Sequence, residues 1–389
     1  MYPQINSSDS VIIYIITELS MGGAETMLYN LLSKTNKLRF KPIVVSLMDR
    51  GTFSDRFEAL GISVYTINMK QGIPTLRAIW QLIRLIRQLK PDIIQGWMYH
   101  GNLAAQFASI FYASKIPILW SIHHSIHSIK SEKILTQTII KLGSSISRFP
   151  NKIAFVSQKS KSQHQALGYD RNKLCVIPNG FDTDLFQPSR AAKLSVREEL
   201  NLPPNSFLIG LIAAYRPMKD HPNFFQAAAL LKDFPHVHFV LAGTNVDNKN
   251  QVLHQLIQDL GISNQVHLLG ERRDIHKITA GLDIVSLSSA YGEAFPLVIG
   301  EAMSCGVPCV VTDIGDSAWI VGDTGRVVPP QNAQALANGW KELITLGIEK
   351  REALGLSARA RIIESFSLDS VVAKYETLYD SFLNKDNHV

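Results

Sequence analysis

The sequence predicts two doubly wound α/β domains that face a central cleft, each with a parallel sheet covered by helices on both sides. Short, continuous apolar runs recur along the chain, and segments with helical periodicity separate them. Buried parallel strands have such runs, and their crossovers are usually helices. The 389 residues are enough for two domains of ordinary size. Ligands bind beyond the carboxyl ends of the strands in such sheets, so we expect the functional residues there.

In the first half, the apolar runs predict strands with amphipathic helices between them. The predicted strands are Val11–Thr17, Pro42–Leu47, Ser63–Ile67, Asp92–Trp97, Ile118–Ile122, Ile153–Val156 and Leu174–Ile177. The predicted helices include Thr26–Ser33, Leu76–Leu89 and Asn102–Tyr112. This alternation predicts a first domain over residues 1–180.

In the second half, the same alternation predicts a second domain over residues 181–367. The predicted strands are Phe207–Ala213, His238–Ala242, Val266–Leu269, Ile284–Leu287 and Val307–Thr312. The predicted helices include Asn223–Leu231 and Val252–Leu260. The boundary lies at Pro178–Pro188, which is rich in turn-forming residues. A last amphipathic helix is predicted over residues 368–385.

Composition and charge narrow the class of protein. No apolar run approaches the length of a membrane span, and the polar start Met1–Ser10 lacks the basic region of a secretory signal. The three cysteines match neither a zinc-ligand spacing nor a disulfide framework, so we expect a cytoplasmic protein. The net charge of +6 suits an anionic partner. We expect no nucleic acid, because basic and aromatic residues do not interleave in a patch.

The predicted helix Leu76–Leu89 is amphipathic and basic, with Arg77, Arg84 and Arg87 on its polar side. Such a helix can lie against an anionic membrane. It can equally pack its apolar stripe on a sheet and leave the arginines in water. The second interpretation is favoured, since amphipathic helices normally bury their stripe in the core. Peripheral contact with the inner face of a membrane remains an open alternative.

The segment Tyr291–Pro308 has the strongest functional pattern. Glu293 and Glu301 are separated by seven residues, Pro296 fits the first position of a helix, and Gly306 fits the residue just after its end. Glu293 then lies in the loop before the helix, and Glu301 lies more than one turn inside it. The free N–H groups at the helix start favour an anion, so the segment predicts a cradle for a phosphorylated polyol. The alternative is an ordinary joint with two solvated glutamates.

Two other strand ends contain candidate side chains. Arg216 and Lys219 follow the first strand of the second half, where two cations can clamp a diphosphate and stabilise charge on a leaving phosphate. His123 and His124 follow a strand of the first half, and by alternation only one of them should face a substrate hydroxyl. The alternatives are a solvated pair of cations and a structural histidine.

Glycines at strand ends allow a ligand to approach the backbone. Gly22 and Gly23 lie between the first strand and a helix, and Gly243 ends another strand. A plain strand–helix turn is the alternative for the glycine pair. The Asp182–Asp184 stretch mimics the D-x-D metal signature of some sugar-transfer enzymes. We reject a metal site there, because the stretch lies in the interdomain link with no other ligand cluster nearby.

Together these stretches resemble the retaining glycosyltransferases of family 4, which have the two-domain GT-B fold. Glu293–Glu301 looks like the family's E-x7-E motif, Val176–Asp182 like its interdomain segment, and Met21–Glu25 like its N-terminal glycine loop. The resemblance covers nearly the whole chain. It implies a nucleotide-diphosphate sugar as the donor, held mainly by the second domain, and a last helix that packs back on the first domain.

The resemblance also implies roles for single residues. Glu293 would hold hydroxyls of the sugar, Glu301 would hold the ribose, and His123 would lie near the reacting sugar. At the helix start around Pro296, the backbone N–H groups of Phe295, Leu297 and Val298 would meet the sugar and phosphates. Gly22 and Gly23 would meet the diphosphate from the first domain, and Gly243 and Arg272 would contact the nucleotide.

We therefore predict a metal-independent hexosyltransferase that has no cofactor and retains the configuration of the anomeric carbon. Lys219, Arg216 and the helix N-terminus would stabilise the leaving diphosphate. Many family members have an arginine five residues before the lysine, but that position is Ala214 here, so Arg216 is the candidate replacement. The expected acceptor is a hydroxyl of a glycan or of a lipid-linked molecule in surface polysaccharide biosynthesis.

Two alternatives remain at this point. A nucleotide-sugar epimerase of the same fold would release an altered sugar nucleotide without an acceptor. A non-catalytic protein would bind nucleotide sugars or nucleic acid without turnover. A dinucleotide oxidoreductase is disfavoured, because the G-x-G-x-x-G fingerprint is missing.

Overall fold

The structure is a computed structural model that describes residues 10–20, 22–70, 75–112, 115–126 and 128–383. The described residues form two compact units. The first unit contains the residues up to Gly180 and the last helix from Leu368, and the second contains Phe181–Ser367. Met21 of the glycine loop and residues 384–385 of the predicted last helix lie outside the described residues.

The first unit is built on a seven-stranded sheet in the order β3-β2-β1-β4-β5-β6-β7. All neighbouring strands are parallel, as predicted. The strands are β1 (Ser10–Ile16), β2 (Phe40–Ser46), β3 (Ser63–Thr66), β4 (Ile93–Trp97), β5 (Ile118–Ile122), β6 (Lys152–Phe155) and β7 (Leu174–Val176). The helices are α1 (Gly23–Lys34), α2 (Ser54–Ala59), α3 (Leu76–Leu89), α4 (Met98–Ile110), α5 (Ile134–Ile146), α6 (Gln158–Ala166) and, at the end of the chain, α15 (Leu368–Leu383).

Helices cover both faces of this sheet. Alternate side chains of β1 point to opposite faces, so Ile13 packs with α3, α4 and α5, whereas Tyr14 packs with α1, α2 and α15. Buried tyrosines attach α15 to the sheet. The hydroxyls of Tyr14 and Tyr379 are 2.9 Å apart, and Tyr379 donates a hydrogen bond of 2.7 Å to Gln95 Oε1. The last helix is therefore part of the first unit.

The second unit is built on a six-stranded parallel sheet in the order β10-β9-β8-β11-β12-β13. The strands are β8 (Phe207–Ile212), β9 (Val237–Ala242), β10 (Val266–Leu268), β11 (Ile284–Leu287), β12 (Cys309–Thr312) and β13 (Arg326–Val328). The helices are α7 (Arg190–Glu199), α8 (His221–Ala229), α9 (Gln251–Asp259), α10 (Ile275–Gly281), α11 (Leu297–Ser304), α12 (Ser317–Val321), α13 (Ala333–Thr345) and α14 (Gly347–Phe366). From β8 the chain adds β9 and β10 on one side, and it then returns to add β11, β12 and β13 on the other side. The strand order therefore switches between β8 and β11, and doubly wound sheets bind ligands at such a switch point.

The basic amphipathic helix α3 packs on the sheet. Ala78, Leu82 and Ile86 are buried in the core of the first unit, while the Thr75 hydroxyl caps the helix by accepting a 3.2 Å hydrogen bond from the Ala78 N–H. The core-facing interpretation of this helix is thus confirmed. Among the helices that the structure describes, none has the combination of length and apolarity needed to cross a membrane.

Candidate functional site

A lysine and a glutamate from two adjacent strand ends meet in the second unit. Lys219 lies in a 3₁₀ turn, Pro217–Lys219, that follows β8, and Glu293 lies in the loop after β11. The Lys219 Nζ donates to Glu293 Oε1 over 2.5 Å, and the Ser289 hydroxyl donates to the same oxygen over 2.6 Å. Both carboxylate contacts are sheltered from water, since Glu293 and Ser289 are buried. The second carboxylate oxygen of Glu293 makes neither of these contacts.

Hydrogen bonds to backbone carbonyls hold the two loops together around this ion pair. The Ser288 hydroxyl donates to the Lys219 carbonyl over 2.7 Å, and the Ala290 N–H donates to the Met218 carbonyl over 2.8 Å. From β12, the Thr312 hydroxyl donates to the Ser289 carbonyl over 2.8 Å. Because these bonds join three strand ends, Lys219 and Glu293 are held in position by the scaffold.

Helix α11 begins directly after this loop. Pro296 has φ −68° and ψ 116°, so it is the cap residue before the helix, whereas the sequence pattern predicted it as the first helical residue. Its ψ is extended because the chain enters the helix only at Leu297. No acceptor among the described residues contacts the backbone N–H of Phe295, Leu297 or Val298. Free N–H groups at a helix N-terminus attract an anion, which agrees with the predicted phosphate cradle. Gly306, just past the helix end, has φ +67°, as predicted.

The side chain of Phe295 does not face the cradle. Its ring packs among those of Phe181, Trp319 and Phe366, with centroids 5.7 to 6.0 Å apart. The residue is buried, so only its backbone N–H is left to contact a ligand. Gly300 belongs to the same packing, because a Cβ at this position would overlap the Phe181 ring. The aromatic cluster therefore fixes the start of α11.

Glu301 lies on α11, past the first turn. The residue is largely covered by its neighbours, and this burial raises the pKa of its carboxyl from 4.5 to about 7. Its carboxyl group has no hydrogen-bond or ion-pair partner among the described residues. Burial raises the pKa of the Cys305 thiol to about 12, and the negative charge of Glu301 contributes to this shift. Glu301 is thus an acceptor whose capacity no described side chain uses.

The raised pKa of Glu301 predicts a pH-dependent stability. The unfolded chain loses this proton near pH 4.5 and the folded chain near pH 7, so the folded state is progressively destabilised between these values. Relative to the wild type, Glu301→Gln should gain roughly 1 to 3 kcal/mol of unfolding free energy between about pH 5 and about pH 8. Urea unfolding across this range measures the difference. Glu349→Gln, on an exposed helix position, is the control, and equal slopes for both variants would contradict the burial of Glu301.

Arg216 lies beside this site but is not part of the ion pair. Its side chain is exposed, and no carboxylate of a described residue pairs with it. It precedes Pro217, and the turn ends at Asp220, which has φ +49° and accepts from the Asn223 N–H over 3.2 Å. The turn that positions Lys219 therefore leaves Arg216 free to contact an anion.

The two predicted nucleotide contacts differ in their surroundings. Gly243 follows β9, and a side chain at this position would overlap the Ala213 carbonyl after β8, so only glycine fits there. The Arg272 guanidinium donates to Asp274 Oδ1 and Oδ2, each over 2.8 Å, and it also pairs with Glu199. These carboxylates raise the pKa of Arg272. The geometry gives Arg272 a structural role, and a nucleotide contact by its side chain requires breaking these ion pairs.

In the first unit, the two predicted histidines have different surroundings. His123 stacks on Trp97 with centroids 4.4 Å apart, while His124 Nε2 lies 2.9 Å from Glu132 Oε1. Both ring nitrogens of His123 are buried and have no hydrogen-bond partner among the described residues. Burial lowers its pKa to about 3, and the nearby Asn179 only partly offsets this shift, so the ring is neutral at pH 7. Such an unsatisfied ring can bond a hydroxyl once the residues covering it move.

In the glycine loop before α1, the carboxylate of Glu25 lies against Gly22. Gly22 caps the helix with extended backbone (φ −161°), and a side chain there would overlap the Glu25 carboxylate. Burial raises the pKa of Glu25, and Glu18 raises it further. A side chain at Gly23 would meet open space. A diphosphate can therefore approach Gly23, but its contact with Gly22 requires Glu25 to move.

Two serines that were not predicted as site residues support the ion pair. Ser288 and Ser289 directly follow β11 and bond Lys219 and Glu293 respectively. Two serines at a strand end, just before a candidate acid, were the available signal.

In the D-x-D stretch, Asp182 Oδ1 accepts from the N–H groups of Asp184 and Leu185 over 3.1 and 2.9 Å, which is a turn cap. Within the described residues, no group of three or more histidines, cysteines and acids is placed so that it could hold a metal ion.

Both halves of the chain match known protein-family models. The first model, Glycosyltransferase Family 4, matches residues 21–185. The second, Glycosyl transferases group 1, matches residues 193–361. Each model matches most of one of the two units, and together they account for most of the chain.

The chain is also similar to characterised proteins and solved structures. It is 25% identical to UDP-Gal:alpha-D-GlcNAc-diphosphoundecaprenol alpha-1,3-galactosyltransferase of Escherichia coli, over 80% of this chain and 81% of that protein. It is 24% identical to N,N'-diacetylbacillosaminyl-diphospho-undecaprenol alpha-1,3-N-acetylgalactosaminyltransferase of Campylobacter jejuni, over 87% and 94%. The structure of Anabaena Alr3699/HepE in complex with UDP and glucose is 25% identical and has a TM-score of 0.82, with 96% of this chain and 100% of that chain covered.

Proposed function

We propose that this chain, which is a glycosyltransferase with the GT-B fold, moves a hexose from a UDP-sugar to a hydroxyl of a lipid-linked glycan with retention at the anomeric carbon. The observation that supports this most directly is the Lys219–Glu293 ion pair, with its buried carboxylate and half-buried lysine, beside the free N–H groups of α11. It combines a cation for a leaving phosphate with a carboxylate for sugar hydroxyls at one strand edge. The retaining family 4 pattern of Glu293–Glu301 agrees with it.

In the proposed reaction, the bond between the anomeric carbon and the diphosphate oxygen breaks as the acceptor oxygen attacks from the same face. The acceptor proton passes to the departing diphosphate, and a nucleoside diphosphate is released. Lys219, with Arg216 and the N-terminus of α11, stabilises the charge that grows on the diphosphate, so that no metal ion is needed. Glu293 accepts hydrogen bonds from the sugar hydroxyls through the oxygen that Lys219 and Ser289 leave free. Glu301 accepts from the ribose.

The relatives suggest the donor and the acceptor. Two of them are named for transfer to diphosphoundecaprenol-linked sugars, one from UDP-Gal, and Anabaena Alr3699/HepE has been solved with UDP-glucose at 25% identity. We therefore propose a UDP-hexose or UDP-N-acetylhexosamine as the donor and a polyprenyl-diphosphate-linked saccharide as the acceptor. Cytoplasmic synthesis of a surface polysaccharide is the proposed setting, with the acceptor presented by the inner face of a membrane.

Product analysis tests this function. The purified chain is incubated with UDP-galactose, UDP-glucose or their N-acetyl derivatives, with and without a GlcNAc-diphospho-polyprenol acceptor. We expect a new glycolipid from at least one donor, with an α linkage by NMR, and turnover that persists in EDTA. A β linkage would contradict retention, and an altered sugar nucleotide formed without acceptor would indicate an epimerase. Donor binding without any product would indicate a non-catalytic protein.

A further inference from the structure

We propose that the outward side of α3, α4 and α5 binds an anionic phospholipid bilayer. These three helices lie on the same face of the first sheet, with α4 in contact with both of the others, and we call their solvent-facing side the basic helical face. The proposal rests on the composition of this face alone. It does not depend on the proposed transfer reaction.

Positive charge is concentrated in this part of the chain. Residues 75–149 contain nine lysines and arginines but only two acids, whereas the whole chain has 39 and 33, so the remainder has 30 and 31. The three helices themselves, all described, contain no aspartate or glutamate. The two acids of the segment are engaged elsewhere. Asp92 Oδ2 accepts from the Val11 N–H over 2.7 Å, and Glu132 bonds His124. The excess positive charge of the chain is thus a property of this segment.

Two cations of the opposite face pair with carboxylates, whereas the cations of residues 75–149 lack a carboxylate partner among the described residues. On the opposite face, Arg39 pairs with Asp380 over 2.7 Å and Lys34 lies 3.9 Å from Asp369. On the basic helical face, no described cation lies within ion-pair distance of a described carboxylate. Of the nine cations in residues 75–149, four lie on the three helices (Arg77, Arg84, Arg87 and Lys141), three lie at the helix ends (Lys90, Lys133 and Arg148), and two lie in connecting segments (Lys115 and Lys130). Unpaired cations at this density attract an anionic surface.

Large apolar side chains lie exposed among these cations. Leu76 and Trp80 of α3 are 86% and 58% exposed, and Ile134 of α5 is 83% exposed. They are additional to the buried stripe of α3, which is already used by the core. Further exposed apolar residues on the same three helices and their ends are Phe107, Ile110, Phe111, Leu135, Leu142 and Phe149. Arg84 lies over the Trp80 ring, 5.2 Å from its centroid.

This combination fits a bilayer better than a soluble partner. Aromatic and aliphatic side chains enter the boundary between headgroups and acyl chains, while arginines and lysines beside them contact phosphates. A soluble acidic protein would not require nine exposed apolar residues, and nucleic acid would not require aliphatic ones. Docking through this face would bring the first unit to the surface where a lipid-linked substrate resides.

Vesicle sedimentation tests the proposal with the full chain. Vesicles of phosphatidylcholine with 40% phosphatidylglycerol should bind the protein at low salt, whereas pure phosphatidylcholine vesicles should bind it at least about tenfold more weakly. Two triple variants address the face. The apolar variant is Leu76→Ser, Trp80→Ser and Ile134→Ser, and the charge variant is Arg77→Glu, Lys133→Glu and Lys141→Glu. Each should bind anionic vesicles at least about tenfold more weakly than the wild type.

Matched triple variants in the second unit serve as controls, since they change as many exposed apolar residues and as many exposed cations. The apolar control is Leu194→Ser, Val252→Ser and Ile348→Ser, and the charge control is Lys232→Glu, Lys249→Glu and Lys350→Glu. Both should bind vesicles like the wild type, and circular dichroism checks the fold of all four. Absence of wild-type binding, equal losses in the controls, or a preference of this face for an oligonucleotide over vesicles would each overturn the proposal. Because no sugar donor is present, failure here leaves the transfer reaction untouched.

Discussion

Replacing Lys219 with alanine should lower the turnover number by roughly 10²- to 10³-fold. In the proposed reaction, the Lys219 ammonium stabilises charge that appears on the diphosphate only as the glycosidic bond breaks. Its loss should therefore reduce kcat more than it weakens donor binding, because the lysine stabilises the transition state more than it stabilises the bound donor. Single-turnover rates at saturating donor measure this effect, and donor affinity from calorimetry separates the two contributions.

The fixed position of Lys219 is the reason for expecting so large an effect. Its carbonyl accepts from Ser288, and its ammonium is held 2.5 Å from Glu293, so little reorganisation is needed when charge develops. Lys232→Ala, an exposed lysine in the same unit, is the control and should react like the wild type. Arg216→Ala should have a smaller effect, since this side chain is exposed and unanchored. A Lys219→Ala rate within threefold of the wild type would remove the lysine from the mechanism.

The fold class was predictable because burial in a parallel sheet leaves a local trace in the sequence. The runs that form β5 and β11 were predicted with the bounds that the structure has, since all their residues are buried and apolar or small. The missed strand β13 has only three residues, and its apolar part is limited to Val327 and Val328 after Arg326. Helix α4 begins at Met98, four residues before the predicted start. Met98 has φ +63° and turns the chain directly from strand to helix without a glycine or proline to mark the change.

The site was predictable as a set of positions but not as a set of contacts. Strand-end placement identified Lys219 and Glu293 separately, with different partners on the substrate. Their ion pair joins residues 74 positions apart, and nothing local in the sequence indicates it. Arg272 was predicted to contact the nucleotide, but its guanidinium is bonded to Glu199, which lies 73 positions away in the sequence. The local sequence does not indicate this pairing either. Local patterns therefore predict which loops meet at the sheet edge, whereas the side-chain pairing depends on the packed structure.

Replacing Glu293 with glutamine should lower kcat/KM by roughly 10- to 100-fold, which corresponds to losing hydrogen bonds to a charged acceptor. The amide has nearly the same shape, and its oxygen can still accept from Ser289. Two roles for the carboxylate then predict different results. If Glu293 only positions Lys219, removing it from a chain that already lacks the lysine should cost nothing further. If it also accepts hydrogen bonds from the sugar, the double variant should be slower than Lys219→Ala alone.

A double-mutant cycle with Lys219→Ala, Glu293→Gln and the combined variant separates these roles. We expect the combined variant to be slower than either single variant, because the oxygen of Glu293 that neither Lys219 nor Ser289 contacts is free for the donor sugar. The deficit should disappear with a donor that lacks the hydroxyl bound by Glu293, since the site then has no bond to lose. Glu349→Gln is the control for the charge change. A combined variant equal to Lys219→Ala with every donor would reduce Glu293 to a positioning residue.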